Sequence, residues 1–249
     1  MIEERQRWPR RGADTPVLLL AHRGGSGPWR ENTLEAFVGG LRLGADGVEL
    51  DVRRTSDGAL VVHHDAEIAG VGAIHALPAG ALPPWVPRLG EALAACAGAV
   101  VNVEIKNGPV EPGFDPGHIA AIEVAAALAA PAGDPDRDPA HVIVSSFWPA
   151  TLAAVHDAAP GIAIGLLVHP ALDAAEAAVQ AAALGCRALH PFHAQATPAL
   201  VELAHGLDLA VAVWTVNERA DLVAAVAAGV DVVITDRVGD LREALDAAR

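Results

Sequence analysis

Residues 47–65 read GVELDVRRTSDGALVVHHD, in which Glu49, Asp51 and Arg53 alternate with apolar residues, a polar turn follows, and a second apolar run closes on His63, His64 and Asp65. Alternation with a period of two marks a strand, and TSDG is the kind of polar, glycine-ended cluster that reverses a chain into a second strand. Residues two apart share a direction, so Glu49 and Asp51 lie on one face, about 6–7 Å apart along the strand. A strand that carries acids on a face expected to be buried needs a reason for them.

The pattern around this stretch supplies the fold. Eight short apolar runs are candidate strands: PVLLLA, GVELDV, AVVNVEIK, HVIVSSF, IAIGLLV, CRALHP, LAVAVWTV and DVVITD. Between them lie segments with helical spacing, such as NTLEAFVGGLRLG, RLGEALAACAG, HIAAIEVAAALAA, TPALVELAHG and NERADLVAAVAAG. Trp148-Pro149 and Thr197-Pro198 place proline at a first helical turn, and Gly44, Gly185, Gly206 and Gly229 stand where a helix end favours positive φ. Strand–helix alternation implies a parallel sheet covered on both faces, and eight repeats imply closure into an α/β TIM (β/α)8 barrel. An open doubly wound sheet is the alternative, but HRGGSGPW lacks the G-x-G-x-x-G spacing of a dinucleotide loop. Residues 65–87, rich in Gly, Pro and Ala, read as a short excursion over the barrel mouth, and Ala132–Ala140 as a polar connector. The whole chain, residues 1–249, reads as one domain.

Composition narrows the function. The chain is 52% hydrophobic, yet no run approaches the roughly 20 apolar residues of a membrane span, and the run Val17–Ala21 is short for a signal-peptide core. A cytoplasmic protein with no transmembrane segment is expected. A formal charge of −14 opposes binding to nucleic acid or to an anionic membrane, so an anionic substrate needs a metal or a few placed basic groups. Cys96 and Cys186 lie far apart without metal-ligand spacing and read as core residues.

The chemistry gathers at strand ends. Glu104 and Lys106 in NVEIK form a second pair with shared direction, so three acids and one lysine converge at the C-terminal mouth. Grouped carboxylates repel unless a cation sits among them, and oxygen ligands suit Mg²⁺ or Ca²⁺. Salt bridging to Lys106 and Arg53 around the rim is the other use for these acids. His22 in LLLAHRGG and His64 in ALVVHHD also end strands, on either side of the acids, where imidazole can move a proton. His63 shares its direction with Val61, which leaves His64 as the inward one. Arg23 and Lys106 are suited to an anionic oxygen, and Trp214 in VAVWTVN to a flat pocket wall.

HRGGSGPWRENTLEAF, GADGVELDVRRTSDGALVVHHD, NVEIK, AVWTVN and GVDVVITD, in this order from about Leu18 to Asp236, resemble the glycerophosphodiester phosphodiesterase family. The resemblance implies a TIM barrel of the phospholipase C-like phosphodiesterase type that hydrolyses glycerophosphodiesters to an alcohol and sn-glycerol 3-phosphate with a divalent cation. It implies His22 and His64 as the acid–base pair and Glu49, Asp51 and Glu104 as metal ligands. Arg23 and Lys106 match phosphate-contacting positions, and Trp214 the aromatic of the WT-V-N segment. Glu31 and Asn32 match residues that shape the loop after the first strand, with Asn32 placed to cap the next helix. After His64-Asp65 the family's L-x-R-T-T segment is missing, which opens the question of headgroup selection, with Ile68, Ile74, His75 and Trp85 as candidates to remodel the mouth. A lysophospholipase D-like hydrolase acting on a phospholipid, with an apolar loop around Trp85, and a non-catalytic phosphate-binding barrel are the competing readings.

Overall fold

Strands that are apolar on both faces need neighbours on both edges and cover on both sides. In the computed structural model, which describes residues 16–25, 27–129 and 141–247, that need is met by closure of the sheet. In chain order the strands are β1 (Leu18–His22), β2 (Gly47–Arg54), β3 (Leu60–Val62), β4 (Glu67–Ile68), β5 (Gly72–Ala73), β6 (Val100–Ile105), β7 (His141–Ser146), β8 (Ala163–Val168), β9 (Ala188–Pro191), β10 (Ala210–Val213) and β11 (Val232–Thr235). Eight of them, β1, β2 and β6 to β11, pair in parallel, and β1 closes the ring by pairing with both β2 and β11. These are the eight expected runs. β3 folds back antiparallel on the upper half of β2, pairing Val52 with Val62 and Arg54 with Leu60, and Gly58 at φ +84° turns the chain between them.

A helix follows each barrel strand: α1 (Leu34–Arg42), α2 (Leu89–Ala95), α3 (Ile119–Ala129), α4 (Pro149–Ala158), α5 (Ala174–Ala183), α6 (Pro198–Gly206), α7 (Arg219–Ala228) and α8 (Val238–Asp246). Their starts follow from side-chain chemistry. Asp173 accepts from the N–H groups of Ala175 and Glu176, Thr197 from that of Leu200, and Pro149 and Pro198 occupy first-turn positions that need no donor. Two expectations fail here. The cap of α1 is Thr33, which accepts from Ala36 N–H, while Asn32 sits at φ +56° with its amide directed elsewhere. Gly206 is the last residue of α6, and Asp208 instead takes the left-handed conformation at φ +62°, as Leu209 N–H closes on Ala204 O. A short Asx side chain tolerates that region well enough to replace glycine.

The outward faces of the strands (Leu19, Val48, Leu50, Val101, Val103, Leu189) pack with Phe37, Leu152 and Leu200 of the helices in one continuous core. The barrel interior is a separate cluster built from Leu20, Val100, Ile143, four alanines and the β11 pair Val232 and Ile234. Asp46 and Asp231 stand below the strands and accept main-chain N–H groups from Leu19 and Val211, so the base of the barrel is pinned by carboxylates. The excursion forms the β4–β5 hairpin and two short 3₁₀ turns, packed on a small core of Val61, Ile68 and Ile74. Trp85 is half-buried and packs against that core, and Arg30 stacks 4.0 Å over its ring. The connector Ala132–Ala140 and the first 15 residues lie outside the described residues.

Candidate active site

Register brings the acids together. β2 pairs with β6 so that Asp51 lies opposite Glu104, and β1 pairs with β2 so that His22 lies opposite Glu49. Glu49, Asp51 and Glu104 each offer an oxygen, all within 4.8 Å of one another, and all three residues are at least 92% buried, being 3%, 1% and 8% exposed. Burial pushes Glu49 above the usual carboxylate range and the charge of Asp51 adds to this; burial raises Glu104 as well. Asp51 goes the other way, because Lys106 and Arg23 outweigh its burial and hold it ionised.

The basic groups meet these acids directly. Lys106 Nζ reaches Asp51 Oδ1 at 3.0 Å and also binds Glu104, and these charges keep it protonated despite burial. Arg23 lies with Nε 3.4 Å from Asp51 Oδ2 and Nη1 3.0 Å from Glu31, and its main-chain N–H donates to Glu49 Oε2 at 3.0 Å. That last bond requires Arg23 at φ +54°, in a loop pressed onto α1. Glycines make the approach possible: a Cβ on Gly24 would fall 2.6 Å from Ala36 Cβ, and one on Gly40 would fall 2.5 Å from Gly24 O. Asn32 also serves the site. Its amide donates to Asp51 Oδ2 at 2.8 Å and accepts from Asp51 N–H at 3.2 Å.

Glu49 Oε1 is buried with no hydrogen-bond partner among the described residues. A buried carboxylate oxygen left bare is costly unless a cation meets it. Three oxygen donors around it fit a hard divalent ion and give no reason for zinc.

Each of the two histidines is held by a carboxylate through the same nitrogen. His22 Nδ1 lies 2.7 Å from Asp236 Oδ1, and His64 Nδ1 lies 2.8 Å from Asp65 Oδ1. Both aspartates lie below the usual range, Asp236 because His22, Asn217 and Arg23 together outweigh its burial and Asp65 chiefly through His64. An ionised carboxylate can only accept, so Nδ1 carries the proton in both rings and Nε2 is the atom left for chemistry. His22 Nε2 faces the acids, 3.9 Å from Glu49 Oε2. Burial works against protonation of His22, but Asp236 and Glu49 prevail and raise its pKa. His64 lies close enough to the acids for its charge to favour the ionised form of both Asp51 and Glu104, although burial keeps Glu104 raised, whereas the His63 ring is directed to Trp85 at 5.8 Å.

Trp214 stands just beyond β10, on another arc of the mouth. Its Nε1–H donates to His190 O at 2.8 Å, and Phe147 and Phe192 meet it edge to face at 5.5 and 5.7 Å. Two participants were not visible in the sequence, and a third does other work than expected. Asp236 orients His22; Asn217 orients Asp236, donating to its Oδ2 at 2.7 Å and accepting its main-chain N–H at 2.9 Å. Arg53, expected as a partner of the acids, instead donates to His64 O at 2.8 Å and to Glu111 at 2.9 Å. The strings WTVN and ITD hold two of these residues, but their pairing depends on β10 and β11 being neighbours.

The profile of the glycerophosphoryl diester phosphodiesterase family matches residues 22–76 and 72–240, which together span the site from His22 to Asp236. The chain belongs to this family. A glycerophosphodiester phosphodiesterase from Caldanaerobacter subterraneus subsp. tengcongensis is 35% identical over 241 residues, covering 88% of this chain and 94% of that protein. A namesake from Bacillus altitudinis is 28% identical over 242 residues. Among solved structures, the glycerophosphodiester phosphodiesterase of Thermotoga maritima superposes with a TM-score of 0.73 at 26% identity, covering 91% of this chain and 97% of that one. As a member of the glycerophosphodiester phosphodiesterases, the chain is a phosphoric diester hydrolase on a TIM barrel.

Proposed function

We propose that the enzyme cleaves glycerophosphodiesters to sn-glycerol 3-phosphate and an alcohol, with Mg²⁺ or Ca²⁺ held by Glu49, Asp51 and Glu104, and with His22 and His64 as the proton-transfer pair. The observation that carries this reading is the buried carboxylate cluster with a bare Glu49 oxygen, flanked by two imidazoles whose Nδ1 atoms are already committed. When bound, the cation supplies positive charge that polarises the phosphoryl group and offsets charge building on its oxygens. Arg23 and Lys106, already facing Asp51, add cationic donors for the same oxygens. One histidine takes the proton of the attacking hydroxyl at Nε2 and the other gives a proton to the departing alkoxide, so the pair works in opposite protonation states. The aromatic wall of Trp214, Phe147 and Phe192 suits the carbon atoms of a glyceryl or alcohol moiety.

The compartment we propose is the cytoplasm: Cys96 and Cys186 are free and buried, with burial pushing both thiols up to about 12, as suits a reducing environment. No helix among the described residues is long and apolar enough to cross a membrane.

A lysophospholipid is the second reading of the substrate, favoured by one feature. Val110, Phe147, Trp148 and Leu172 are 95%, 39%, 38% and 60% exposed on the loops after β6, β7 and β8, all at the mouth. Hydrolysis of glycerophosphocholine and of micellar lysophosphatidylcholine, measured side by side, separates the two. The test of the catalytic reading is His22→Ala. It should keep cation and diester binding while turnover falls by about 10³-fold or more; turnover within tenfold of the parent would remove His22 from the chemistry.

A further inference from the structure

We propose that Arg53 is a positioning residue for His64, a clamp that joins the loop bearing that histidine to the loop after β6. This rests on reading His64 as a proton-transfer group.

His64 lies beyond the last paired residue of β3, so no ladder holds it. Upstream, His63 N–H donates to Asp51 O at 2.9 Å, which fixes the chain one residue too early. The hydrogen bond from the imidazole to Asp65 is local, and the Asp65 side chain is 74% exposed, so it orients the ring without anchoring the main chain. The contact to the main chain of this residue is Arg53 Nε to His64 O at 2.8 Å, partly buried and made by a side chain only 8% exposed. The other arm, Nη2, binds Glu111 in the loop between β6 and α3, where Glu111 is itself folded into turns with Gly108 and Phe114.

Arg53 follows Glu49 and Asp51 on the same face of β2. One strand thus sets two of the three cation-facing carboxylates and then, one step further, the main chain of His64. The guanidinium fork suits this task because it serves two acceptors at once in a fixed plane; an ammonium on a flexible stem does not. A charge-assisted bond to a carbonyl is also stronger than a neutral one. A cavity of about 400 Å³ adjoins the clamp, lined by Arg53, Arg54, Ile74, His75, Lys106 and Asp115. Water can therefore enter if the guanidinium is shortened, and the variants should still fold.

The test uses Arg53→Gln, Arg53→Lys and Glu111→Gln in the full chain. A histidine shifted by about an ångström costs on the order of 10²-fold in rate, so R53Q should lower kcat by about 30–100-fold while KM and Ca²⁺ affinity stay within about threefold. R53K should recover little of this loss. E111Q, which leaves the Nε bond in place, should lose less than R53Q. Histidine-ring NMR reads the same event without turnover: the His64 signals should shift or broaden in R53Q while those of His22 hold. Unchanged kcat, equal losses in kcat, KM and cation affinity, or an unmoved His64 signal would overturn the proposal. If the parent protein hydrolyses no diester, the functional reading falls, and the NMR comparison still decides whether Arg53 positions His64.

Discussion

Replacing Asp236 by asparagine should disable His22 through its tautomer, and the hydrogen-bond network states how. Asn217 Oδ1 is fixed as the acceptor of Asp236 N–H, so its amide must point its donor at the Asp236 side chain. In Asp236→Asn the oxygen of the new amide turns to meet that donor, which leaves its NH₂ group facing His22 Nδ1. Nδ1 must then accept, the proton moves to Nε2, and the nitrogen that faces Glu49 can no longer take one. Loss of a correctly held tautomer costs about 10²–10⁴-fold in kcat, or roughly 3–5 kcal/mol of barrier. The double variant Asp236→Asn/Asn217→Asp reverses the logic. A carboxylate at 217 accepts from the new amide, the amide oxygen turns to His22, and Nδ1–H is restored, so kcat should recover at least about tenfold over the single variant. The assay is steady-state release of glycerol 3-phosphate, with unfolding midpoints to confirm both variants are folded. A single variant within about threefold of the parent, or a double variant no better than the single, would refute the reasoning.

Three further outcomes follow from the structure. Burial holds His190 down to about 3, so the unfolded chain takes up a proton below its ordinary 6.5 while the folded one does not, and stability falls with pH across that window; between pH 7 and 5 this amounts to about 2 kcal/mol, read as the difference in urea-unfolding pH slope between the parent and His190→Gln. Asp46→Ala removes the acceptor of Leu19 N–H and the partner of Arg242 at the barrel base, and should lower stability by about 1–2 kcal/mol with kcat/KM unchanged. Gly40→Ala would drive a methyl against Gly24 O, displacing the loop of His22 and Arg23, and should depress kcat at least about tenfold in protein that remains folded by circular dichroism.

Much of this molecule was legible because strands buried on both faces are written as uninterrupted apolar runs, and the eight runs became the eight barrel strands. Glu49 and Asp51 could be placed together because a period of two is local, and Glu104 and Lys106 for the same reason. What escaped needed distance in the chain. His22 and Asp236 are 214 residues apart, and no spacing rule joins them. Local chemistry also misled where two residues could do the same job: Asn32 and Thr33 are both good caps, and Thr33 took the role because Asn32 was held by Asp51. Arg53 looked like a partner for its neighbours on β2, but Lys106 and Arg23 already met Asp51, leaving Arg53 to the loops.

The most direct measurement is release of glycerol 3-phosphate from glycerophosphocholine and glycerophosphoethanolamine by chelator-treated protein, with Mg²⁺ or Ca²⁺ added back, for the parent and Glu49→Gln. Turnover absent after chelation, restored by one of the ions in the parent and weakened at least about tenfold in cation affinity by E49Q, is the result expected from a cation among Glu49, Asp51 and Glu104. Full turnover after chelation, or equal cation affinity in parent and variant, would contradict it.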